Sequence, residues 1–412
     1  MTRPEGPPAP SATGASPTAG GRRLPSVREM LDTLIGLPSV SSSRPELDRP
    51  NRPVVDALAT WAEGLGFAVE VLELPGSGGR KANLLATLGQ GPGGLVLAGH
   101  TDTVPFDEGL WQVDPFVATE RDGRLYGLGA TDMKSFLALA LEAASAFRAQ
   151  DLREPVIVLG TADEETTMAG ARLLQEAGRP RARRAVVGEP TDLRPVRAHK
   201  GILMESIRVS GRSGHSSNPA LGANALEGMH AVIAGLLSLR KELTAAHRDD
   251  TFEVPHPTLN LGRIEGGDAA NRICGRCVLD VDVRLVPGLS VQEARRRVQE
   301  RAQEALAGHG DPGLTVDFAS VFEGVDAFSA APDLPLLRAV ERLTGHAASR
   351  VGFGTEAPFF AGLGMDTVIC GLGSIDVAHQ PDEYLPLGSV EPTIRMLRGL
   401  IQESCVDGGS EA

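Results

Sequence analysis

A chain of 412 residues, 42% of them apolar, has length for two or three packed domains. Forty basic against 53 acidic side chains leave a formal charge of −13, and a net acidic surface repels phosphate backbones. Aromatics are only 4%, so platforms for stacking bases are not expected, and nucleic acid is set aside as a partner.

The first residues, Met1 to about Arg23, are rich in Pro, Ala, Gly, Ser and Thr and lack the apolar stretch of a secretory signal. They read as a disordered tail, with order starting near Leu24. Val27 to Leu37 has helical spacing, and Val54 to Leu65 predicts a second helix stopped by Gly66. Short, wholly apolar runs follow: Leu95 to Ala98, Val156 to Leu159, Ala185 to Val187 and Thr367 to Cys370. Strands without polar alternation are buried on both faces, which predicts an α/β fold with a mostly parallel sheet. Ser135 to Phe147, Ala169 to Ala177 and Leu334 to Leu343 supply the covering helices.

The middle of the chain reads differently. Ile202 to Val209 is mixed, but Cys277 to Leu285 alternates strictly, with Leu279, Val281, Val283 and Leu285 on one side. Val278, Asp280, Asp282 and Arg284 take the other side, as in an antiparallel sheet with one open face. Ala225 to Leu239 and Val291 to Leu306 are amphipathic helices fit to cover the closed face. Residues 198–320 are therefore expected to form an inserted α+β domain, leaving 25–197 and 321–412 to the larger one.

The four cysteines, Cys274, Cys277, Cys370 and Cys405, are too few for a disulfide framework and fit a reducing cytoplasm. Cys274 and Cys277 spell CxxC without a second pair, and are expected to be two small buried side chains. With no run of about 18 apolar residues, no membrane-spanning helix is expected.

In open α/β sheets, ligands bind beyond the carboxyl ends of the strands. There the first run ends in Gly99-His100-Thr101-Asp102, the second leads to Asp163-Glu164-Glu165, and the third ends in Gly188-Glu189-Pro190. The fourth continues to His379, and Asp132 precedes a helix. A single strand-end carboxylate is usually a cap, but convergence of several on one rim points to metal. Imidazole and carboxylate without thiolate suit zinc, cobalt or manganese better than copper(I) or iron–sulfur. The carboxylates outnumber the needs of one tetrahedral ion, so two metals, typically ~3.5–4 Å apart, are expected. Adjacent Glu164 and Glu165 can supply a base and a ligand, and Asp102 can accept the second ring N–H of His100. A dinucleotide site fails because Gly127-Leu-Gly129 follows a polar segment. A serine nucleophile at Ser213 fails because an elbow needs glycine where His215 stands.

His100-Thr-Asp-Thr-Val-Pro105, Gly129-Ala-Thr-Asp-Met-Lys134, Asp163-Glu-Glu165, Gly188-Glu-Pro190 and Ser213-Gly-His-Ser-Ser217 resemble the M20 family of metallopeptidases and amidohydrolases. The resemblance runs through nearly all of the chain after the tail, in family order. It implies a zinc-peptidase-like catalytic domain with an inserted lid and dimerisation domain. It also implies two divalent ions, zinc or cobalt, that assist hydrolysis of a small N-acyl amino acid. It assigns His100 and Glu189 to one ion, Glu165 and His379 to the other, and Asp132 to both. Glu164 becomes the general base, Asp102 orients His100, and His215 reaches the neighbouring subunit's site to stabilise an oxyanion. Asn271, Arg284 and Thr355 are the implied binders of the substrate carboxylate, and Glu356 is a candidate for a side-chain ammonium.

Overall fold

The computed structural model describes residues 24–407; the expected tail lies outside them. Local signals set where helices start. Ser26 accepts from the Glu29 N–H while the Glu29 carboxylate accepts from the Ser26 N–H, a capping box that opens the helix Val27–Ile35. The second helix, Arg52–Gly64, carries proline in its first turn and is followed by Gly66 at φ +87°.

The four apolar runs form neighbouring strands. A nine-stranded sheet places Val156–Thr161, Leu95–His100, Arg184–Pro190 and Asp366–Gly371 side by side at its centre. All three pairings among them are parallel. Ala82–Leu88 and Ala68–Glu73 extend the sheet antiparallel on one side. Val196–His199, with the short strands Phe328–Ser329 and Ser349–Val351, extends it on the other. The helix Lys134–Ala144 is almost wholly buried under the sheet. It comes so close that a Cβ on Gly188 would stand 2.1 Å from the Phe136 ring, which is why the strand needs glycine just before Glu189.

A separate four-stranded antiparallel sheet has the order Thr258–Gly266, Arg276–Leu285, Gly201–Ser210, Thr315–Val325. Cys277, Leu279, Val281, Val283 and Leu285 are buried in alternation, as their period of two requires. The helices Ala225–Ala246 and Val291–His309 cover that face, capped by the side chains of Asn224 and Ser290. Met229, Val232, Leu236, Val298 and Ala302 meet Leu203, Ile207 and Val281 in a core of its own. The last strand runs through position 320 to Val325. The mixed strand also alternates, but one inward residue is Glu205, whose carboxylate lies 2.6 Å from Arg295 Nε.

Cys274, Cys277, Cys370 and Cys405 are all free and buried. Among the described residues no helix is long and apolar enough to cross a membrane.

Candidate metal centre

Parallel strands with their carboxyl ends aligned bring distant residues to one rim. His100 ends its strand opposite Thr161, which ends the next, and the turn after Thr161 carries Glu164 and Glu165. Glu189 belongs to the adjacent strand Arg184–Pro190. His379 follows the central strand Asp366–Gly371, and Asp132 stands two residues before the helix Lys134–Ala144. Asp163, beside the two glutamates, and His379 itself have left-handed backbone at φ +56° and +58°. Such conformations cost energy in non-glycine residues and concentrate at functional sites.

Asp132 lies at the centre of the cluster. One carboxylate oxygen is 3.0 Å from His100 Nε2, and the other is 3.2 Å from His379 Nε2. His379 Nε2 is also 3.1 Å from Glu165 Oε1. Potential ligand atoms of His100, Asp132 and Glu189 lie within 4.8 Å of one another, and so do those of Asp132, Glu165 and His379. Asp132 is thus common to two groups of three. His100, Glu164 and Glu165 make a further overlapping group.

Electrostatics follow from crowding carboxylates out of water. Burial, then the facing Glu189 carboxylate, pushes Glu164 well above the usual carboxylate range. Burial and Asp132 do the same to Glu189. For Asp132 burial acts in the same direction, but hydrogen bonds from His100 and His379 outweigh it and hold the group low. The hydrogen bonds to Asp132 and Glu165 raise His379 to about 10. Burial would lower His100, yet Asp132, with Glu164 and Asp102, raises it well above the ordinary imidazole value. Four mutually facing carboxylates and two imidazoles, all oxygen and nitrogen donors, fit hard or borderline divalent cations.

A model of peptidase family M20/M25/M40 matches residues 96–403. The chain belongs to this family. It is an M20 metallo-hydrolase, and solved structures repeat its fold over almost its entire length. An M20 metallo-carboxypeptidase from Sulfolobus solfataricus is 18% identical at TM-score 0.72, over 92% of this chain and 99% of that one. Human carnosine dipeptidase 1 is 20% identical at TM-score 0.67, over 92% and 96%. A Bacillus subtilis protein described as a dinuclear metal-binding M20 peptidase is 16% identical at TM-score 0.62, over 91% and 96%.

The surroundings of the M20 site contain residues that motif reading missed. Glu383 is buried and accepts three main-chain N–H groups, from Gly129, Thr131 and Asp132, so it fixes the loop bearing Asp132. Burial, then Asp132, pushes it up to about 7. Its partners are backbone groups, which leave no mark in a sequence; its place four residues after His379 is the only hint. Asp163, next to Glu164, is held in turn: Lys81 Nζ bonds Asp48 and Asp163, both at 2.8 Å, and Ser41 Oγ donates to Asp163.

Asp102 meets the His100 ring through its main chain. His100 Nδ1 lies 3.0 Å from the main-chain carbonyl of Asp102, and 3.9 Å from its carboxylate. The carboxylate instead accepts the N–H groups of Glu164 and Glu165, each at 3.2 Å. Two residues beyond His100, the chain turns its carbonyl back to the ring and leaves the side chain to cap the next turn. Burial pushes the Asp102 carboxyl up to about 7.

Other expected residues stand outside the three groups of potential ligands. His215 is exposed on the lid, with Nδ1 2.8 Å from Ser217 Oγ and Arg272 bridged beside it. Asn271 shares that surface, its carbonyl accepting the Ser216 N–H. Among the described residues no hydrogen bond or ion pair joins either to the metal-type groups. Arg284 is on the polar face of its strand, Nε bonded to Asp282 at 2.9 Å. Thr355 is buried, and its hydroxyl accepts the Ala357 N–H. Glu356 is only 1% exposed, accepts from the Thr161 hydroxyl at 2.7 Å, and stands close enough to His100, Glu164 and Glu189 to act on their charges.

Proposed function

We propose that the chain is an amidohydrolase that removes the acetyl group from N2-acetyl-L-ornithine, giving ornithine and acetate, as acetylornithine deacetylases do. The observation that carries the metal chemistry is Asp132, shared by two donor groups. His100, Asp132 and Glu189 would hold one divalent ion, and Asp132, Glu165 and His379 the other, with zinc or cobalt suited to the donors. Ions bound there acidify water and polarise a carbonyl.

The chain's own side chains supply the proton traffic. Glu164 borders both groups of donors, and its raised proton affinity suits a base that takes a proton from the attacking water. It then passes that proton to the departing α-amine. Asp102 keeps the His100 ring in place through its carbonyl and ties down the Glu164 turn through its carboxylate. The exposed lid position of His215 is compatible with a homodimer in which this imidazole donates to the oxyanion in the second copy's site. Asn271, Arg284 and Thr355 remain the proposed carboxylate binders.

The acetylornithine assignment rests on four stretches that are similar to that branch of the family: Pro195 to Gly201, Gly266 to Cys274, Gly354 to Phe359 and Ala378 to Leu385. A second reading, a small peptidase, is favoured by the dipeptidase and carboxypeptidase among the solved relatives. Steady-state turnover of N2-acetyl-L-ornithine, succinyl-diaminopimelate, acetylcitrulline and a dipeptide separates the two. Acetylornithine is expected to have the highest kcat/KM; a higher value for the dipeptide would establish the peptidase instead.

A further inference from the structure

The turn that carries Glu164 is gripped at successive residues. The Ala162 N–H donates to Asn83 Oδ1 at 3.0 Å. The N–H groups of Glu164 and Glu165 donate to the Asp102 carboxylate. Between these grips, Asp163 Oδ1 accepts from Lys81 Nζ at 2.8 Å and from Ser41 Oγ at 2.9 Å. The Glu164 side chain itself has no such anchor. Among the described residues no protein group makes a hydrogen bond or ion pair with its carboxylate, so the backbone of the turn alone decides where that carboxylate stands.

Lys81 is 6% exposed, a rare setting for a lysine. Burial would lower its proton affinity, but Asp163 and Asp48 outweigh burial and raise it, so the ammonium stays charged. Asp163 has left-handed backbone at φ +56°, and its carbonyl accepts the N–H groups of Thr167 and Met168. Asp48 and Ser41 belong to the loop 39–49, which pairs with the chain just past Asp102. There the Ser41 N–H donates to the Thr103 carbonyl at 2.8 Å, and the Thr103 N–H donates to the Ser39 carbonyl at 3.2 Å. Ser41 Oγ also lies 2.7 Å from Thr166 Oγ1. One buried ammonium therefore ties the loop beside Asp102 to the turn of Glu164. Without it, Asp48 and Asp163 would be two sheltered carboxylates with no cation between them.

We infer that Lys81, acting through Asp163, is a positioning residue for the Glu164 carboxylate. A base must stand within hydrogen-bond reach of the water it deprotonates, and a misplacement of about 1 Å can cost ~100-fold in rate. The inference rests on the reading of Glu164 as that base.

The test uses the full chain as wild type, Lys81→Met and Asp48→Asn. Metal-loaded protein is assayed on N2-acetyl-L-ornithine, and amide hydrogen exchange is followed in metal-free protein. Lys81→Met is expected to lower kcat about 10- to 100-fold with KM changed less than about twofold. Exchange should quicken in residues 162–168. Asp48→Asn keeps an oxygen for Lys81 and lies off the turn, so its kcat should fall less than about threefold. A merely structural ion pair would leave kcat alike in the two variants, and that result overturns the inference, as does an unchanged kcat in Lys81→Met. If Lys81→Met fails to fold, Lys81→Gln, neutral but still able to hydrogen-bond, is held to the same expected fall and the same refutation. Glu164→Gln separates the two levels. If it keeps wild-type turnover while Lys81→Met still loosens residues 162–168, the base reading falls and Lys81 stands as anchor of the turn. If it is inactive while Lys81→Met matches the wild type in kcat and exchange, the positioning role falls alone.

Discussion

The two sheets of this molecule use the same backbone chemistry to opposite ends. In the nine-stranded sheet the central strands are covered on both faces, so they are apolar along their length and polar only at their ends. His100, Glu164, Glu165 and Glu189 accordingly gather at strand ends. In the four-stranded sheet one face is open, and Asp280, Asp282 and Arg284 stand along the strand itself. Chemistry at a rim is held by hydrogen-bonded turns, as with Asp102 and Glu383. Side chains on the open face are placed by strand register and by ion pairs such as Arg284 with Asp282. The metal-type residues thus come from the rim of the large sheet, and the small sheet contributes polar side chains along an open face.

The largest expected effect tests the rim. Glu164→Gln keeps the shape and loses the base, so kcat should fall ~100- to 10,000-fold while metal content stays the same. Rate measurements paired with metal analysis check this, and a variant with wild-type turnover would remove Glu164 from the mechanism. A second prediction tests the independence of the small sheet. Leu279 is buried in its separate core, and Leu279→Ala should cost ~2–5 kcal/mol in urea unfolding of the lid. Metal content at the distant rim should survive at urea concentrations that unfold this core. Simultaneous loss of both would show that the sheets do not stand apart.

The smallest effect belongs to the junction where His199 ends a strand of the large sheet and Gly201 begins one of the small sheet. His199 is buried beside Lys200, Nδ1 bonded to the Lys200 carbonyl and Nε2 without a partner, and burial lowers its pKa to about 4. The unfolded chain, near 6.5, binds a proton that the folded chain refuses, so stability falls as pH drops from about 6.5 towards 4. The loss approaches ~3 kcal/mol at the lower end. His199→Asn can keep the Nδ1-type donor and cannot titrate. Its stability difference between pH 7 and pH 4 should therefore be smaller than that of the wild type, measured by denaturant titration at each pH.

Much of the large sheet was legible because burial on both faces writes an unbroken apolar run. All four such runs are adjacent parallel strands, and the ligand-type residues placed at their ends converge. The strand Arg276–Leu285 was legible for the converse reason, since one covered face writes strict alternation. The strand Gly201–Ser210 was obscured because Glu205 occupies an inward position, and its partner Arg295 is 90 residues away. Ala68–Glu73 is an edge strand without a buried period. Asp102 was identified as a neighbour of His100, but sequence does not distinguish its carbonyl from its carboxylate. Glu383 acts wholly on main-chain N–H groups, which leave no pattern in the sequence.

Whether two cation sites share Asp132 is read from metal stoichiometry. Purified wild type, Asp132→Ala and His379→Ala would be loaded with zinc, dialysed and analysed for metal per chain, with folding checked by circular dichroism. A shared Asp132 implies about two equivalents in the wild type, about one in His379→Ala, and nearly none in a folded Asp132→Ala. An active wild type that retains no divalent ion, or an Asp132→Ala variant that keeps both, would contradict it.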